Sequence, residues 1–92
     1  MRTEMVKLDQ DLLGKLERAN YMAQATKSLY LEALDCGVAV AAAKEEYVRA
    51  FVELDALKCQ VSKLVERPGL IRWDADFPAG SVRLVVSDEA ET

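Results

Sequence analysis

Two long amphipathic segments meet at Asp35-Cys36-Gly37 and take up most of a 92-residue chain. In the first, Leu8, Leu12, Leu16, Ala19, Ala23, Thr26, Tyr30 and Ala33 recur at steps of three and four, the spacing of one helical face. In the second, Tyr47, Ala50, Phe51, Leu54, Leu57, Val61, Leu64 and Val65 do the same. Gly37 suits the position just past a helix C-terminus, because glycine accepts the left-handed conformation without penalty. One continuous helix is the alternative, and phase argues against it. At about 100° per residue, the stripe through Tyr47, Phe51 and Leu54 lies roughly 60–120° from the stripe through Ala23 and Tyr30. The pattern therefore predicts a fold-back, with helix one over about residues 6–36 and helix two over about residues 40–67. Thr3 is the candidate cap of the first helix, and Pro68-Gly69 stops the second. Val38-Ala39-Val40 offers helix two no good cap.

Beyond Gly69 the period changes from helical to two. Ile71, Trp73, Ala75 and Phe77 alternate with Arg72, Asp74 and Asp76, and Val82, Leu84 and Val86 alternate with Arg83 and Val85. Pro78-Ala79-Gly80 between them has turn chemistry, so about residues 70–87 read as a β-hairpin. A lone two-stranded hairpin is marginal in water, so its Trp73/Phe77/Leu84 face must pack on something, and Trp73 is the natural seam with the helices. The expected fold is mainly α: a long antiparallel two-helix hairpin followed by a short C-terminal β-hairpin. It forms one domain over 1–92, with Asp88, Glu89 and Glu91 as an acidic tail over 88–92.

Several function classes are poorly served by these residues. The chain has no histidine, which removes the commonest general base and metal ligand and any Ser–His or Cys–His pair. No catalytic residue, metal site or cofactor is expected, and the protein is read as a non-enzyme. Asp74 and Asp76 could share one face of a strand, but hard cations need more oxygen ligands than this segment offers. Net charge is −4, with both signs interspersed and no basic stripe, so nucleic acid is not an expected partner. The longest apolar run, Val38 to Ala43, is too short to span a membrane. Cys36 and Cys59 fall too far apart along the proposed hairpin to bridge, and both are read as small packing residues in a reducing cytoplasm.

The apolar inventory gives a more positive expectation. Leu12, Leu16, Tyr30, Tyr47, Phe51 and Leu54 form the seam of the hairpin. Leu13, Met22, Leu29, Val48, Val52 and Val65 flank it, and one partner helix cannot cover them. Each large apolar side chain left in water forfeits about 1.5–3 kcal/mol, and even half of that sum rivals the total stability of a small domain. The sequence thus predicts a protein partner: a homodimer, a higher oligomer or a hetero-complex, with Met22, Leu29, Val48, Val52 and Trp73 at the interface. The rival expectation is a small inhibitor or regulator of a specific bacterial enzyme or defence protein, using a patch of Trp73, Asp74 and Asp76.

Leu12–Tyr21 (LLGKLERANY), Tyr47–Glu53 (YVRAFVE) and Trp73–Phe77 (WDADF) together resemble small helical-hairpin proteins of Gram-positive bacteria and their phages or mobile elements. The resemblance touches about a quarter of the chain. It implies a two-helix hairpin with a short β-tail, an accessory structural role in a phage or mobile element, and a cytoplasmic or virion location. It implies no activity.

Overall fold

The computed structural model describes residues 1–88. The elements run β1 (Arg2–Lys7), α1 (Gln10–Cys36), α2 (Val40–Val65), β2 (Leu70–Asp76) and β3 (Ser81–Val86). The two helices and the C-terminal strand pair agree with the expected fold class. The described residues form two compact units, one of Met1–Gly14 with Cys59 onward, the other of Lys15–Lys58.

The first unit is built on a three-stranded antiparallel sheet in the order β1-β3-β2. Val82, Leu84 and Val86 on central β3 alternate with Arg83 and Val85, and all three are fully buried. Glu4 and Val6 of β1 stand opposite Leu84 and Val82, and Trp73 and Ala75 of β2 stand opposite the same two from the other side. Directly opposed residues share a face, so one side of the sheet is apolar apart from Glu4. Leu13 from the first turn of α1 and Val61 and Val65 from the last turns of α2 complete this core, each no more than 5% exposed. Trp73 Nε1 donates to Ser62 Oγ at 2.9 Å, which makes the seam expected between the β-hairpin and a helix.

The N-terminus corrects the sequence expectation. Residues 2–7 form a strand, and α1 begins at Gln10 and not near residue 6. Asp9, not Thr3, caps the helix: its carboxylate accepts from Asp11 N at 3.4 Å and its carbonyl from Leu13 N at 3.0 Å. The strand wins because β3 would otherwise carry a row of unpaired backbone groups on one edge. Arg67 then fastens β1 to the end of α2, donating to Glu4 Oε2 at 3.0 Å and to the Val65 carbonyl at 3.1 Å. Because the sheet has three strands, Leu13 and Val65 are buried; both were expected among the side chains left in water.

The β-hairpin lies where predicted, with one irregularity. Leu70 stands opposite Val86 and Arg72 opposite Val85, so Ile71 is the extra residue of a bulge. It is therefore exposed and does not continue the Trp73 face. At the turn, Gly80 takes φ 67° and its N–H bonds the Phe77 carbonyl at 3.1 Å. Of the expected acidic tail, Asp88 accepts from the N-terminal ammonium at 3.1 Å, whereas Glu89 and Glu91 lie outside the described residues.

In the second unit the chain folds back between α1 and α2. Gly37 takes φ 72°, and its N–H closes the last turn on the Ala33 carbonyl at 2.8 Å. Ala39 also has positive φ, 54°, and its carbonyl accepts from Ala43 N to start α2. Tyr30 stacks on Tyr47 with ring centroids 5.9 Å apart, a direct contact between the helices that excludes one straight helix. Buried here are Leu16, Ala19, Ala23, Thr26 and Leu54. Thr26 satisfies its hydroxyl by donating to the Met22 carbonyl of its own helix at 2.7 Å.

Candidate interaction surface on the helical hairpin

The seam of the second unit is lined mainly by small side chains, and this decides what remains outside. Two of its five buried residues are leucines; the others are Ala19, Ala23 and Thr26. Nine large apolar side chains of the same unit are about half exposed or more: Tyr21, Met22, Leu29, Leu31, Leu34, Val38, Val48, Phe51 and Val52. Small seam residues let helix backbones approach closely. They leave no depth in which the larger flanking side chains can be covered.

These positions sort by angle around each helix. At about 100° per residue, Met22 and Leu29 lie roughly 70–90° to one side of the buried stripe of α1, and Leu34 and Leu31 lie roughly 50–110° to the other. On α2, Phe51 and Val48 lie roughly 50° and 110° from the stripe through Tyr47 and Leu54. Because the helices are antiparallel, equal rotational sense in the two puts residues on the same flank of the hairpin. Leu31, Leu34, Phe51 and Val48 therefore share one flank, Met22 and Leu29 the other, and Val52 points almost directly away from α1.

The four helical positions expected at an interface, Met22, Leu29, Val48 and Val52, are thus all solvent-facing, at 48–60% exposure. They do not form one patch. Phe51, expected in the hairpin core, is 52% exposed; it sits edge-on to Tyr47, with centroids 6.2 Å apart, at the rim of the seam. Leu16 and Leu54 are buried as expected, and Leu12, Tyr30 and Tyr47 are half-buried. Leu31 and Leu34 were missed. Their only signal was their angle on α1, which places them beside a stripe already assigned to the core.

No protein-family model, curated protein or solved structure matches this chain.

Trp73 belongs to the sheet face that carries Leu84 and is tied to Ser62, so it is not an open anchor. Asp74 and Asp76 pair with Arg83 and Ser81 on the opposite face, so the patch expected of an inhibitor is divided between two sides of the sheet. Asp76 is engaged in the turn, its carboxylate accepting from Ala79 N at 3.3 Å. A depression of about 380 Å³ opens there, lined by Asp74, Asp76, Phe77, Pro78 and Arg83. No group of three or more acidic, thiol or imidazole side chains suited to a metal occurs among the described residues. Cys36 and Cys59 are free and exposed, which corrects their assignment as packing residues. No helix among the described residues is long and apolar enough to cross a membrane.

Proposed function

We propose that this chain is a non-enzymatic assembly or interaction protein that self-associates, or docks a protein partner, through its helical hairpin. The observation that carries the proposal is the imbalance in Lys15–Lys58: five buried side chains against nine large apolar ones that stay about half exposed or more. Monomers rarely leave a flank as apolar as that of Leu31, Leu34, Val48 and Phe51 open to water unless it meets another surface. Docking a second pair of helices is the usual way in which such stripes are buried. The resemblance to helical-hairpin proteins of phages and mobile elements would make this an accessory structural role.

The test is association state against concentration. Light scattering after size exclusion should give a mass above the 10.2 kDa of one chain at micromolar concentration, or one stoichiometric protein partner in a pull-down. A monomer that captures no partner would refute the proposal.

A further inference from the structure

Resting on the self-association just proposed, a charge pattern on α2 specifies how a second copy would sit. Lys44, Val48, Phe51 and Asp55 recur at steps of four, three and four and fall within about 60° of one another around the helix. All four are exposed. Among the described residues, neither Lys44 nor Asp55 has an ion-pair partner. Ala41 and Lys58 continue the same stripe one step further at each end, giving a length of roughly 26 Å.

This stripe is self-complementary only in the antiparallel sense. A two-fold axis passing midway between Val48 and Phe51 sets Val48 against the second copy's Phe51, and Phe51 against its Val48. The same operation sets Lys44 against Asp55 and Asp55 against Lys44, so an apolar centre is closed at both ends by opposite charges. A parallel pairing would set Lys44 on Lys44 and Asp55 on Asp55, which repel. A C2 contact must be made by one patch meeting itself, and this order of residues satisfies that condition.

The surroundings fit an axis on α2. Leu31 and Leu34 lie on the same flank and widen the apolar area. Lys27, on α1, also falls on this flank near the level of Phe51, where face-on docking of whole hairpins would bring two like charges together. The contact is therefore centred on α2, with α1 at its edge. The ion pair of Glu45 with Arg49, at 3.5 Å, lies roughly 90–130° around α2 from the centre of this stripe, at its margin. We infer that the hairpin forms a two-fold dimer through α2 packed antiparallel on α2, in the register that opposes Lys44 to Asp55.

Charge reversal with rescue tests this register. Lys44→Asp and Asp55→Lys, each alone, should weaken the dimer at least about tenfold, since each places two like-charge contacts by symmetry. The double variant restores both contacts and should return to within about threefold of the native dissociation constant. Sedimentation under reducing conditions reads the constants, and unchanged helical circular dichroism shows that each variant folds. If both single variants dimerise like the native chain, or the double variant fails to recover, the register is wrong while self-association stands. If the native chain is itself monomeric, the self-association on which the register rests fails with it.

Discussion

Ala39 is the residue whose conformation and identity are most at odds. It takes φ 54°, a region that costs a residue with a Cβ about 1–2 kcal/mol. Glycine there would remove the strain but would add freedom to the unfolded chain worth about 0.4–1 kcal/mol. Ala39→Gly should therefore stabilise the protein by about 0.5–1 kcal/mol, read as a higher denaturant midpoint at unchanged slope. A lower midpoint would mean that this turn is not left-handed in solution. At Trp73 the expectation is coupling. Trp73→Phe and Ser62→Ala each remove one partner of the 2.9 Å hydrogen bond, so a double-mutant cycle should return about 0.5–1.5 kcal/mol. An interaction energy near zero would leave Trp73 held by packing alone.

Among the elements, β1 governs the first unit. Removing residues 1–7 leaves β3 unpaired on one edge, uncovers Val82 and Leu84, and takes Glu4 from Arg67. Such a chain should melt at least about 2–3 kcal/mol less stable, or without a cooperative transition; an unchanged melt would show that β1 is not part of the fold. Leu84→Ala, at the centre of the sheet and fully buried, should cost about 2–5 kcal/mol by the same measurement. The helices and the β-hairpin were legible because each carries a long, unbroken period that ends in glycine or proline. β1 was not. Six residues with Thr3, Met5 and Lys7 outside and Glu4 and Val6 inside give little hydrophobic contrast, and Thr3-Glu4 imitates the start of a helix. The bulge at Ile71 was invisible for a related reason. Ile71 fits the alternation around it, and only the register with β3 shows that it is extra.

For the whole molecule, the hairpin's outer surface was legible in kind and not in layout. Of the six apolar side chains counted beyond one stripe, Leu13 and Val65 are buried, whereas Met22, Leu29, Val48 and Val52 are exposed. Periodicity alone could not divide them between flanks, because that depends on which stripe each helix turns to the other. Phe51 illustrates the difficulty: it is one step from Tyr47 and Leu54 in the seam and one step from Val48 outside it. If the flank of Val48, Phe51 and Leu31 meets a second copy, placing a charge at its centre should dissolve that contact while leaving the interior intact. Val48→Glu is accordingly expected to give a folded monomer with native helicity. The most direct measurement is the mass of the native chain by light scattering across a micromolar concentration series. Self-association requires a value above 10.2 kDa, either rising with concentration towards at least twice that mass or already held there. A constant 10.2 kDa with a sharp two-state melt would contradict it.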